Sequence, residues 1–147
     1  MAVVLVLLFG VVILLFHIGR TPDVTLSVRG DALRIRFGVW DSIYCLKRRL
    51  DLPLSAIEGI AVAPKSLVPA TGLRLPGTGL PGVIRAGSYG TGASRDFWNV
   101  RRADQYLVVQ LAPGAPYRRV VLEVADPQAE ARRLRPSVGA YAGSFDS

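Results

Sequence analysis

Histidine and cysteine each occur once in this 147-residue chain, as His17 and Cys45. A zinc site of the Cys/His kind takes about four such ligands. A Ser-His-Asp or Cys-His relay would have to use His17, which stands inside an apolar run. No metal site and no nucleophilic centre is therefore expected. Carboxylates remain for acid–base work, and Glu58, Asp96, Asp104 and Glu123 are the candidates. Each stands beside a basic residue or at a turn, where a solvated ion pair is the expected role. Gly77-Thr78-Gly79 suggests a phosphate loop, yet it lacks the following Lys-Ser/Thr and the strand–loop–helix setting. Cys45, beside Ile43 and Leu46, is expected to be a small buried residue. The chain is read as non-enzymatic and without a cofactor.

Binding chemistry is better represented. Eighteen Lys and Arg against eleven Asp and Glu give a net charge of +7. The bases are dispersed, with short clusters at Lys47-Arg48-Arg49, Arg101-Arg102, Arg118-Arg119 and Arg132-Arg133. No stripe of bases interleaved with exposed aromatics stands out, so nucleic acid is not an expected partner. Lys47, Arg48 and Arg49 fall on a turn between early strands and are the candidate contact for a lipid headgroup or an acidic partner. Clustered bases near an anionic bilayer each contribute about 1 kcal/mol. Trp40, Phe97 and Trp98 are candidate core residues. Adjacent Phe97 and Trp98 must point to opposite faces of a strand, so one of them is exposed or covered by a neighbouring loop. That pair, with the loop, is a second candidate contact patch.

These groups need elements to place them. Residues 2–18 read AVVLVLLFGVVILLFHI, without a charged side chain, and every Lys and Arg follows. An α-helix over this run would reach roughly 25 Å, the short end of what a hydrocarbon core of about 30 Å asks for. A transmembrane helix over residues 1–20 is expected. A signal peptide and a buried core helix are the competing readings, but no Ala-x-Ala cleavage pattern follows the run. His17 would then be an interfacial residue. The chain starts abruptly inside the apolar run, which leaves room for an upstream segment. Bases on the far side of the helix predict a single-pass protein of the cell membrane with its domain in the cytoplasm. The single cysteine leans the same way.

The remainder has the length of one small domain, expected over residues 21–135. Stretches 24–28 and 32–37 alternate around Gly30-Asp31 and predict a hairpin. Further strands are expected at 43–46, 49–52, 59–63, 83–89, 95–100, 106–111 and 117–124, joined by short turns as an antiparallel meander. Residues 64–82 hold four prolines and four glycines and predict a long loop. Its leucines, Leu67, Leu73, Leu75 and Leu80, predict that it packs against the domain. Asp126 as N-cap and Pro127 at the first position predict a helix over 128–134. Pro136 is expected to stop it, leaving residues 136–147 as a disordered tail.

The order of elements resembles the bacterial pleckstrin-homology-like (PH-like) domains that are fused to membrane helices. Residues 33–38, LRIRFG, followed by 52–60, LPLSAIEGI, resemble that family's opening strand pair and its "(I/L)PL-x-x-I" step. The segment LPGTGLPG at 75–82 with AGSY at 86–89, and YRRVVLEVADP at 117–127, resemble later parts of it. The resemblance implies a mainly β fold: an antiparallel β-sandwich or partial barrel closed by one C-terminal helix. It implies binding rather than catalysis, and no binding residue carries over. The expected function is a membrane-anchored interaction module touching a protein partner or anionic lipid headgroups. The alternative is a structural subunit of a larger membrane complex, its helix pairing with others through Gly10, with oligomerisation open.

Overall fold

Alternating apolar and polar residues build the first sheet in the computed structural model, which describes residues 1–18, 22–68, 79–80 and 84–142. Strands β1 (Val24–Arg29), β2 (Ala32–Phe37) and β3 (Arg49–Pro53) pair antiparallel in that order. Leu33 faces Leu52 and Ile35 faces Leu50, and all four are buried. The β1–β2 turn runs through Gly30 at φ +60°, a left-handed conformation that suits glycine. The expected hairpin is present.

A second sheet holds β4 (Ile57–Pro64), β5 (Gly79–Leu80), β6 (Ile84–Tyr89), β7 (Asp96–Val100), β8 (Gln105–Leu111) and β9 (Arg119–Leu122). Its order is β4-β8-β9-β7-β6-β5. The expected meander is corrected here. β9 enters between β8 and β7 and runs parallel to β7, with Trp98 opposite Val121. Glu123, just past β9, shows what makes room for this. Its carboxylate accepts the backbone N–H of Arg101 at 2.6 Å and of Ala103 at 3.2 Å, so the β7–β8 connection arches over the end of β9. Val120, Val121 and Leu122 are all buried, as a central strand requires.

The main core joins both sheets through Leu33, Ile35, Leu52, Phe97, Leu107, Val109, Val120 and Leu122. A second cluster collects Val68, Tyr89, Trp98, Val100, Tyr106 and Val121. α3 (Pro127–Ala142) closes the main core with Ala131 and Leu134. Asp126 caps it, its Oδ1 accepting the Ala129 N–H at 2.9 Å. Arg133 donates to the Leu26 carbonyl of β1 at 2.8 Å, and Arg135 donates to the Ile60 carbonyl of β4 at 3.0 Å. The helix thus clips the two sheets together. It also continues through Pro136 to Ala142, so the expected stop and the start of the expected tail are corrected. Residues 143–147 lie outside the described residues, as do Leu73 and Leu75 of the expected loop and the side chain of His17.

Two other expectations change. The strand expected at 43–46 is the end of a helix, α2 (Val39–Cys45). Local β propensity yields to tertiary demand, because Asp41 must face the buried Arg101 and Asn99. α1 (Ala2–Ile18) is a 17-residue apolar helix, but no helix among the described residues is long and apolar enough to cross a membrane. At about 1.5 Å per residue it reaches about 25 Å. The expected transmembrane helix over residues 1–20 is corrected to this shorter, exposed apolar helix. The mainly β architecture of two sheets with a C-terminal helix stands.

Candidate functional site

The strand register gathers the bases. Arg34 and Arg36 alternate with Leu33, Ile35 and Phe37 along β2, so both point away from the core. In β3, Arg49 and Asp51 do the same beside Leu50 and Leu52. Pairing sets Arg36 directly opposite Arg49, and Arg34 opposite Asp51. Lys47 and Arg48 arrive from the α2–β3 turn, where the Phe37 N–H donates to the Arg48 carbonyl at 3.0 Å. Arg34, Arg36, Lys47, Arg48 and Arg49 together line an open depression of about 560 Å³.

The charge in this depression is unbalanced. Asp51 accepts from Arg34 at 2.9 Å and from Arg49 at 3.0 Å. Among the described residues, Arg36, Lys47 and Arg48 have no carboxylate partner. Like charges directly opposite on a sheet are destabilising, so the Arg36–Arg49 pair costs stability unless an anion lies between them. Arginine forks suit phosphate and carboxylate oxygens. The depression thus presents a surplus of positive charge, with one carboxylate, Asp51, among its arginines.

The candidate residues divide. Lys47, Arg48 and Arg49 come together as the sequence suggested. Arg34 and Arg36 were missed as members of the cluster, although their alternation was visible, because only the β2–β3 register brings them there. Phe97 and Trp98 are both 0 % exposed, so the contact patch expected from them is not at the surface. Phe97 sits in the main core against Phe37 and Tyr117. Trp98 packs edge-on to Tyr89 and Tyr106, with Arg85 and Arg119 against its ring at 5.0 and 5.5 Å. A sheet with both faces covered hides both of two adjacent aromatics, and Val68 of the expected loop packs in the same cluster as Trp98. Trp40, expected in the core, is exposed instead.

Two of the four candidate carboxylates are buried rather than solvated. Asp96 accepts from Arg118 through Nε at 3.0 Å and Nη2 at 2.8 Å, and from Arg119 Nε at 2.9 Å. This carboxylate raises the Arg118 guanidinium above its ordinary value. Glu123 caps the β7–β8 connection, as described, and burial together with Glu123 pushes the Tyr106 phenol up. Asp41, which the sequence did not single out, accepts from Arg101 Nη2 at 3.0 Å, Asn99 Nδ2 at 3.2 Å and the Asp23 N–H at 2.8 Å. These groups tie elements together. Burial pushes the Cys45 thiol up to about 11, so it is protonated at neutral pH and a poor nucleophile.

The depression lies close to the apolar helix along the chain. Five residue steps separate Ile18 from Asp23, a reach of at most about 18 Å. Asp23 is bonded into the same end of the first sheet, because its carbonyl accepts the Gly38 N–H at 2.7 Å. Compared with protein-family models, curated proteins and solved structures, the chain matches none.

Proposed function

We propose that this chain is a membrane-anchored, non-enzymatic PH-like binding module whose basic depression holds the phosphate groups of anionic lipids. The observation that carries this reading is the Arg36–Arg49 pair, opposed across β2 and β3 and joined by Arg34, Lys47 and Arg48 around one open depression. α1 supports the anchoring. A helix that is apolar all round belongs in a protein core or in lipid, and from Val3 to Phe9 its large side chains are all exposed. In this reading α1 buries in the bilayer, and the short link to Asp23 keeps the depression at headgroup level. Two sheets closed by a C-terminal helix agree with the PH-like expectation, while the parallel β7–β9 pair departs from it.

The test uses the full chain in neutral detergent micelles, with inositol hexakisphosphate titrated calorimetrically at two salt concentrations. Saturable binding that weakens with salt is expected. Each base contributes about 1 kcal/mol, so Arg36→Gln/Arg49→Gln should lose about 2 kcal/mol, roughly 30-fold in affinity. Absence of binding to the full chain, or an undiminished affinity in the double variant, overturns the proposal.

A further inference from the structure

α2 is amphipathic the wrong way round for a helix on a water-soluble surface. Val39, Ile43 and Leu46 follow at four- and three-residue spacing, which puts them on one face, with Trp40 one step beside them. They are 74 %, 52 % and 64 % exposed, and Trp40 is 45 % exposed. The inward face carries a carboxylate, Asp41, and the thiol of Cys45, both buried. Surface helices normally put the apolar stripe inward and the charge outward. Here the apolar stripe faces out although the helix is only seven residues long.

The end of this helix repeats the pattern. Leu46 follows α2 at φ 56°, the one non-glycine residue with positive φ among those described. A left-handed conformation is strained for a side chain such as leucine. Glycine or asparagine would sit there at lower cost, and both would remove an exposed apolar side chain. Lys47, Arg48 and Arg49 follow at once, so the apolar face of α2 borders the basic depression. The other end of α2 is fastened to Asp23, which follows the apolar helix five residues along the chain. Asp23, within about 18 Å of extended chain from Ile18, gives its N–H to Asp41 at 2.8 Å and takes the Gly38 N–H at 2.7 Å.

We infer that α2 is a membrane wedge: Val39, Trp40, Ile43 and Leu46 sink into the acyl–headgroup boundary of an anionic bilayer while the adjoining bases hold its phosphates. This rests on the membrane-surface reading of the depression and adds a separate contact to it. An apolar face rimmed by Lys and Arg is the surface that buries about 5–10 Å into that boundary. Tryptophan favours the same depth, because its ring is apolar and its N–H is polar. Charge complementarity selects a bilayer over a second copy of the chain, since two copies meeting through α2 would bring two five-base clusters together.

Trp40 is itself the reporter, and the only other tryptophan, Trp98, is fully buried. Full chain and its Trp40→Phe variant are reconstituted in phosphatidylcholine bilayers with and without phosphatidic acid. The difference in their emission isolates Trp40. Lipids brominated near the top of the acyl chain should abolish most of that difference signal in the anionic bilayers, and aqueous acrylamide should leave it. Ile43→Ser/Leu46→Ser should restore acrylamide access with inositol hexakisphosphate binding unchanged. A Trp40 that acrylamide quenches and bromolipid does not overturns the wedge. If the hexakisphosphate then still binds, the depression keeps its reading alone, and if it does not, both fall. A Trp40 shielded from both quenchers, with disulfide-linked dimers forming in Trp40→Cys, assigns the face to a second copy and also overturns the wedge.

Discussion

Cys45 shows how strongly one residue's surroundings set its chemistry. Its Sγ donates to the Lys47 carbonyl at 3.4 Å, and burial raises its pKa from 9.0 to about 11. The folded state therefore holds the thiol proton more tightly than the unfolded chain does. Its contribution to stability is complete below pH 9 and is lost as pH rises from 9 towards 11. Denaturant midpoints measured at pH 8 and pH 10.5 should show this fall, and Cys45→Ala should reduce it. Part should remain, because burial also raises the Tyr106 phenol from 10.0. A fall of the same size in Cys45→Ala would exclude the thiol as its source. The burial of Cys45 was legible from its apolar neighbours, but the places of the two tryptophans were not. Trp40 and Trp98 each have one apolar and one polar neighbour in the sequence, and only the second layer over β7 separates the exposed one from the buried one.

At the scale of elements, helix ends and strand pairs differ in how much the sequence carries. The Asp126 cap of α3 was legible because capping is local. Pro136 misled, because a proline removes one backbone donor and disfavours a helix without forbidding it. Here α3 is held by Ala131 and Leu134 in the core and by Arg133 and Arg135 on either sheet. Similarly, α2 was hidden by β-branched and aromatic residues whose helical arrangement follows from distant partners. Gly38, just before α2, gives an element-scale prediction. A Cβ built there would stand 2.7 Å from Asp23 Cβ, too close for either backbone to keep its place. Gly38→Ala should therefore cost about 1–3 kcal/mol, as overpacking does. Chemical denaturation checks the cost. A neutral result would mean that Asp23 moves aside freely.

For the molecule as a whole, a mainly β domain with a closing helix could be read from alternation, turns and a cap, but its division into two sheets could not, since the alternating stretches read as one meander. The order of strands could not, because the insertion of β9 between β8 and β7 depends on contacts across the whole domain. The same holds for the depression, whose five bases come from two strands and a turn. Whole-molecule coupling also has a test. Asp41 and Arg101 form a buried ion pair, with side chains 3 % and 4 % exposed, joining α2 to the second sheet. Asp41→Asn alone should destabilise the chain by about 3–5 kcal/mol, and Asp41→Leu/Arg101→Met should recover much of that loss. A double variant no better than the single one would show that the pair does more than neutralise itself.

Asp23 adds a mechanical consequence. It bonds Asp41 through its N–H and Gly38 through its carbonyl, and it is the first strand-flanking residue after the apolar helix. Any pull or tilt of that helix that reaches Asp23 divides there. One branch runs along the chain into the β1–β2 hairpin, which pairs over six consecutive positions and resists it as a unit, and the other passes through Asp41 to Arg101 and the second sheet. The two bonds at Asp23 are thus the linkage of a lever, with the apolar helix as its arm and the buried ion pair as its bearing.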